Sequence, residues 1–145
     1  MKMTNPIGIM QNKNQQKNLL KEFVNKYFEL LDYMKKYSNN NSQFNNFCRK
    51  NIMLRKANMK IFMKVWYENI TIRYFDRIMN DDVSYFLDKC YNNDFDSNVY
   101  NEYNMEQCIS YMKLMYNKMN QEEINLFTKY IKELTFLSYL YNKVP

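Results

Sequence analysis

The sequence predicts an all-α protein, a compact bundle of about five to six helices with no sheet. The first observation is a shortage of turn-forming residues, with one glycine and two prolines in 145 residues. Hairpin turns usually draw on glycine, whereas Asn and Asp tolerate left-handed backbone geometry and cap helices. The second observation is that apolar residues recur at helical spacing, and no segment alternates at period two for long enough to require a strand.

The length and composition fit one folded domain with a single modest core. We expect residues 1–11 to form a flexible N-terminal arm and residues 12–145 to form a single helical domain. A first helix is expected over 12–37, where apolar residues at alternating steps of four and three form one helix face. These residues are Leu20, Val24, Tyr27, Leu31 and Met34. The polar segment SNNNSQ at 38–43 is a predicted loop.

A second helix is expected over 44–57 and a third over 59–79. The third helix carries a core stripe at four-residue steps, namely Phe62, Trp66, Ile70, Tyr74 and Ile78. Asn58 would lie on the apolar side of one unbroken helix, where a buried unpaired amide is costly. We therefore assign Asn58 as an N-cap between two helices.

The remaining helices are predicted from their capping residues. Asp81 or Asp82 would cap a short helix, VSYFLDKCY, and residues 92–104 read as an acidic loop. Asn104 would cap a fifth helix that ends near residue 118, with Gln107 at the capping-box position.

The last helix is predicted over 121–142. Asn120 and Glu123 form a capping-box pair before its apolar run.

Catalytic chemistry is poorly represented. The chain has no histidine, which removes the commonest general base and the commonest metal ligand. Cys48, Cys90 and Cys108 have no CxxC spacing, so we expect solitary buried thiols in a reducing compartment and neither a disulfide framework nor a zinc site. Hydroxyl and thiol nucleophiles lack a histidine to activate them. The sequence predicts no enzyme and no cofactor.

The segment DFDSNVYNEYNM resembles the ligand spacing of a calcium loop. Oxygen-bearing side chains stand at positions 1, 3, 5, 7 and 9, namely Asp94, Asp96, Asn98, Tyr100 and Glu102. However, Val99 stands where glycine permits the sharp turn, and Met105 stands where a bidentate Glu should be. A solvated acidic loop is therefore the preferred interpretation, and no metal site is predicted.

No segment has the features of a membrane or secretion signal. The N-terminus lacks an apolar stretch long enough for a signal peptide. No run of about 18 apolar residues occurs that could span a bilayer. We expect an intracellular protein, or one inside a particle assembled in the cell, without membrane insertion.

The charge is distributed unevenly along the chain. Residues 1–65 hold 13 basic and 3 acidic side chains, and residues 66–145 hold 8 basic and 12 acidic ones. Between Asp32 and Glu68 there is no acid against eight bases. These eight are the candidate partner-binding residues, namely Lys35, Lys36, Arg49, Lys50, Arg55, Lys56, Lys60 and Lys64. They fit a solvated face, an acidic protein surface or another copy of the chain, nucleic acid, or an anionic membrane.

The block at residues 64–95, KVWYENITIRYFDRIMNDDVSYFLDKCYNNDF, carries the landmarks WY, YFDRIMNDD and YFLDK. Together with the abundance of Asn, Lys, Tyr and Met, it resembles small uncharacterised helical proteins of large nucleocytoplasmic DNA viruses. The resemblance implies a viral origin, where small helical proteins often serve as minor capsid or virion components. The protein would then be found in the virion, and in the host cytoplasm during assembly.

The function expected from these features is a non-enzymatic structural or assembly protein that contacts other protein subunits or further copies of itself. Tyr and Met are abundant and are common at protein interfaces, so we expect some of them on the surface. The alternatives are a nucleic-acid-associated protein that binds through the basic residues 35–64, and an accessory subunit of a viral transcription or replication complex.

Overall fold

The computed structural model describes the backbone of residues 6–89 and 105–144, and the side chains of residues 12–88 and 105–144. These residues form helices and turns without a strand, which confirms the predicted all-α class. The helical elements are α1 (Pro6–Lys35), α2 (Ser42–Asn58), α3 (Lys60–Trp66), a π-helical turn (Tyr67–Thr71), α4 (Ile72–Met79), α5 (Val83–Lys89), α6 (Met105–Tyr116) and α7 (Gln121–Tyr141). The acidic loop, Cys90 and the Asn104 cap lie outside the described residues.

The long helices α1 and α7 run antiparallel along the bundle. Near the start of α1, the Gln16 amide nitrogen lies 3.5 Å from the Tyr141 carbonyl oxygen. Near its end, the Tyr33 hydroxyl donates a hydrogen bond to the Glu123 carbonyl at the start of α7. The stripe predicted for α1 is buried, and the buried apolar side chains of the described helices form one continuous cluster. Burial of this cluster supplies the main driving force for folding.

The predicted third helix is present from Lys60 to Met79, but a π-helical turn interrupts it. In that turn the N–H of Ile72 bonds to the carbonyl of Tyr67, five residues earlier. Residues at four-residue steps drift around an α-helix by about 40° per step, and the wider π turn takes up part of this drift. The five core residues predicted at those steps are therefore all buried.

The boundary between α2 and α3 differs from the prediction. Asn58 is the last residue of α2 and is exposed, so it is not the N-cap of α3. Met59 occupies the boundary with helical backbone angles, and no side chain caps α3. The prediction was wrong because it placed Asn58 on the buried side, whereas α2 turns Asn58 to solvent and no burial penalty arises.

The N-terminal boundary also differs. Helix α1 begins at Pro6, so residues 6–11 of the expected arm are helical. Proline suits the first turn of a helix, because its fixed backbone angle is helical and its missing N–H would have no intrahelical partner there.

Asparagine and aspartate make the turns, as the shortage of glycine indicated. Asn39, Asn40 and Asp81 adopt positive φ angles of 51°, 56° and 67°. Asp82 caps α5 by accepting a hydrogen bond from the Tyr85 N–H at 3.2 Å. The predicted capping box of α7 is confirmed, with both reciprocal bonds present.

A buried polar pair joins α1 to α2. The Tyr27 hydroxyl donates a 2.7 Å hydrogen bond to the side-chain oxygen of Asn51, and the Asn51 amide donates to the Phe47 carbonyl. Asn51 is 3% exposed and Tyr27 is 1% exposed. The sequence analysis did not single out Asn51, although it falls within the buried stripe of α2. Because both polar groups are satisfied, the pair orients α2 against α1 without a desolvation penalty.

Replacing Asn51 with alanine should lower the free energy of unfolding by about 1–3 kcal/mol, because the buried Tyr27 hydroxyl loses its 2.7 Å oxygen acceptor, and its contact with the Cys108 sulfur at 4.0 Å is weaker. Asn46→Ala is the matched control, since Asn46 is exposed on the same helix and should change stability by about 0.5 kcal/mol or less. Urea unfolding followed by circular dichroism measures both. Equal effects of the two substitutions would show that the buried bond contributes nothing.

Candidate functional site

The eight basic residues singled out in the sequence are all exposed, but they do not form one uniform surface. Two lie at the end of α1, four on α2 and two on α3. Some of them make ion pairs, side-chain hydrogen bonds or ring contacts, whereas others make none with the described residues. These differences decide which of the eight remain available to a partner.

The two lysines at the end of α1 have local partners. The ammonium of Lys35 lies 3.4 Å from a carboxylate oxygen of Asp32, and the ammonium of Lys36 lies 5.2 Å from the ring centre of Tyr33. Burial raises the pKa of the Cys48 thiol, and the charge of Lys35 opposes this rise to a smaller extent. Both lysines therefore have a partner within the chain.

Arg55 belongs to the junction between α1 and α2. Its guanidinium donates a 2.7 Å hydrogen bond to the side-chain oxygen of Asn25 and lies 4.8 Å from the ring centre of Phe28. Such cation–π contacts stabilise exposed sites by about 0.5–1 kcal/mol. Arg55 therefore helps to hold α2 on α1, which the charge pattern alone did not indicate.

The outer face of α2 carries a mixed basic and apolar row, here called the α2 stripe, formed by Arg49, Ile52, Met53 and Lys56. Their spacing of three, four and seven residues places them on one helix face. Ile52 is 46% exposed and Met53 is 70% exposed. The sequence analysis did not identify this surface. The signal that could have found it is that α2 carries two stripes at helical spacing, of which only one can face the core.

Four of the basic residues make no ion pair, side-chain hydrogen bond or ring contact with any part of the chain that the structure describes. These are Arg49, Lys50, Lys56 and Lys60. Lys64 is exposed but has a contact within the chain. The cations around the α2 stripe are thus the ones most available to a partner.

A second exposed apolar surface, here called the aromatic patch, lies between α4 and α7 and comprises Ile72, Phe75, Phe136 and Tyr139. The rings of Phe75 and Tyr139 lie 4.6 Å apart between centres, and those of Phe136 and Tyr139 lie 6.5 Å apart. Ile72 is one turn before Phe75 on α4 and is 62% exposed, while Phe136 is 46% exposed. Sequence reasoning did not identify this patch.

We expected some tyrosines and methionines on the surface, and among the described residues of these two types one is exposed. Met53 is the exposed methionine there, and the described tyrosines are buried or half-buried. Most of the described methionines pack in the core. Tyrosine and methionine therefore contribute little of the exposed apolar surface of the described helices.

A cluster of titratable groups ties the end of α1 to the start of α7. The Tyr37 hydroxyl donates a 2.5 Å hydrogen bond to a carboxylate oxygen of Glu123. The Asn120 N–H and then this hydroxyl lower the pKa of Glu123, whereas burial and then the Glu123 bond raise the pKa of Tyr37. Lys118 also donates to the Tyr37 carbonyl at 2.9 Å. Because Glu123 also completes the capping box of α7, the cluster acts as a structural clamp.

A cleft of about 450 Å³ lies between α5 and α7. Its lining is largely polar, with Ser84, Gln121, Asn125 and Thr128 among the residues. Asp81, also in the lining, is paired with Lys132 at 2.8 Å. Small-molecule sites are usually lined by apolar side chains with a few placed polar groups, so this cleft is a weaker candidate than the exposed surfaces.

No described helix is both long enough and apolar enough to cross a membrane. Within the same residues, no group of three or more His, Cys, Asp or Glu side chains is placed to hold a metal ion. The calcium-like segment at 94–105 lies almost entirely outside the described residues, so its interpretation stays a prediction.

The fold and its surfaces define an all-α bundle with a mixed basic and apolar stripe on α2 and an aromatic patch between α4 and α7. Comparison with protein-family models, with curated proteins and with solved structures finds no match. The chemistry of these two surfaces is therefore the basis for assigning a function.

Replacing Arg55 with alanine should lower the free energy of unfolding by about 0.5–1.5 kcal/mol, because the contacts with Asn25 and Phe28 are lost. Lys56→Ala is the control, since the exposed Lys56 makes no such contact and its removal should change stability by about 0.5 kcal/mol or less. Denaturant unfolding of the two variants gives the comparison. A larger loss for the lysine variant would contradict this division of the basic residues.

As pH falls, the free energy of unfolding should decrease more steeply for the wild type than for a Glu123→Gln variant. The folded-state pKa of Glu123 is lowered, so its contribution is present above the unfolded value of about 4.3 and is lost as pH falls through the folded value. Urea midpoints at pH 6, 4 and 3 measure this, with Glu122→Gln as a neighbouring control. Parallel curves for the wild type and Glu123→Gln would be inconsistent with the clamp.

Proposed function

We propose that the protein is a non-enzymatic structural or assembly protein, a minor capsid or virion component that binds other protein subunits through its basic surface. The observation that carries this proposal is the α2 stripe, in which two exposed apolar side chains lie between two exposed cations. A large apolar side chain held in solvent gains free energy when a partner covers it. The flanking cations favour a partner with an acidic rim.

The composition of the α2 stripe supports a protein partner over a polyanion. Protein interfaces are enriched in Met and Arg, and they place apolar contacts at the centre with a polar rim around them. Contacts to a nucleic-acid backbone come from cationic and hydrogen-bonding groups. Such contacts would leave Ile52 and Met53 in water, so a protein surface uses more of what the α2 stripe presents.

The resemblance of residues 64–95 to small helical proteins of large DNA viruses supports a role in the virion. The α2 stripe and the aromatic patch give one small domain two separate surfaces for contacts. A protein with two such surfaces can join larger subunits, and it would be present in the host cytoplasm during assembly and in the finished particle.

The proposal is tested by measuring the amount of this protein in purified virus particles. The protein should be present in a fixed copy number per particle, measured by quantitative mass spectrometry. Arg49→Glu combined with Lys56→Glu should reduce incorporation at least tenfold, because repulsion between like charges at an interface costs several kcal/mol and about 1.4 kcal/mol already corresponds to tenfold. Lys129→Glu, an exposed site on α7, is the control. Absence from particles, or equal incorporation of all variants, would refute the proposal.

An accessory subunit of a viral transcription or replication complex, the other alternative, would use the same protein contacts as an assembly protein. The second candidate by chemistry is a nucleic-acid-associated protein that binds through the basic residues 35–64. The observation in its favour is that Arg49, Lys50, Lys56 and Lys60 are exposed and make no contact within the described chain. Binding to phosphates through these groups would fall steeply with salt. A filter-binding assay with double-stranded DNA and with RNA at about 50 mM salt decides it, since no binding there eliminates this candidate.

A further inference from the structure

We infer that the occupant of the α2 stripe is a second copy of this chain, which presents its aromatic patch in a head-to-tail contact. This inference rests on the proposed assembly function and names the partner. It places Ile52 and Met53 of one copy against Ile72 and Phe136 of the next. These four are among the six large apolar side chains that stand out in solvent in the described part of the chain.

The two surfaces are chemically complementary. The α2 stripe offers flexible aliphatic groups between Arg49 and Lys56, and the aromatic patch offers ring faces. Arginine and lysine bind to aromatic faces through cation–π interactions, and arginine also stacks on them. The chain already uses this interaction internally, with a cation over the rings of Tyr33, Phe28, Tyr85 and Tyr139.

An exposed carboxylate at the edge of the aromatic patch favours the same pairing. Asp76 is exposed on α4, one turn after Ile72, where it can meet Arg49 or Lys56 of the neighbouring copy. Cations also border the patch, but Arg73 has a contact within the chain and Lys143 lies over the ring of Tyr139. Lys132, one turn before Phe136 on α7, is paired with Asp81. Asp76 is thus available at the edge of the patch.

The geometry of this contact differs from that of a symmetric dimer. The stripe and the patch are different surfaces, so a copy that uses its stripe still has a free patch. A contact of this kind is heterologous and builds a ring or an open chain of copies. That outcome suits a protein that holds a larger structure together, and it gives the contact a distinctive experimental signature.

Analytical ultracentrifugation of the purified chain tests this contact, because the wild type should form species larger than a dimer as its concentration rises to about 0.5 mM. Met53→Asp should remove the stripe and Phe136→Asp should remove the patch, so each variant alone should stay monomeric. An equimolar mixture of the two should form dimers and nothing larger, because each variant keeps the surface that the other lacks. Leu114→Asp is the matched control, since Leu114 is 53% exposed on α6, and it should associate like the wild type.

Circular dichroism establishes that each variant is folded, and Ile52→Asp and Ile72→Asp replace any variant that is not. A monomeric wild type at about 0.5 mM overturns the inference. The inference is also overturned if the mixture of Met53→Asp and Phe136→Asp stays monomeric. Association of either single variant on its own would overturn it as well. If the wild type is monomeric while its incorporation into particles still depends on Arg49 and Lys56, the partner is a different protein. The inference then fails, and the proposed function stands.

Discussion

The burial of Trp66 is the constraint on which the rest of the bundle depends. Its ring packs edge-to-face on Phe23 of α1 at 6.0 Å, and its indole N–H donates to the Thr135 hydroxyl of α7 at 3.2 Å. A buried indole needs an acceptor for its N–H, and here α7 supplies it. One fully buried side chain therefore fixes the position of α3 against both long helices, and the remaining helices pack around this three-helix contact.

The same constraint explains why an apolar residue lies in solvent on α4. Beyond Trp66 the π turn keeps Ile70 in the core and brings the Thr71 hydroxyl into a 2.5 Å hydrogen bond with Ser138. With Thr71 facing α7, the next residue, Ile72, points away from the core and is 62% exposed. The aromatic patch is thus linked to the core arrangement, and π turns are often found at functional positions.

The sequence predicted the features that depend on local chemistry. The all-α class, the third-helix stripe and the Asn120 capping box follow from periodicity and side-chain geometry within a few residues. Asn58 was misplaced because the sequence does not say which side of α2 faces the core. The partners of Arg55 lie on α1, far away in the chain, so no local pattern could reveal them. The four-residue repeat is visible in the sequence, but the repeat alone does not specify the π turn that accommodates it.

The structure reduces the number of basic residues that are available to a partner. Arg55 contacts α1, and the two lysines at the end of α1 have local partners. The cations that make no ion pair, side-chain hydrogen bond or ring contact with the described residues therefore lie on α2 and at the start of α3, around Ile52 and Met53. Covering four partly exposed apolar side chains, two on each surface, stabilises a contact by only about 1–2 kcal/mol each, against an association cost of at least about 4 kcal/mol. A single contact of this kind is therefore weak. In a closed ring of copies, each copy makes the contact twice, and ring closure links these weak contacts and raises the overall affinity. Such a surface suits a component of an ordered assembly better than a partner in an isolated pair.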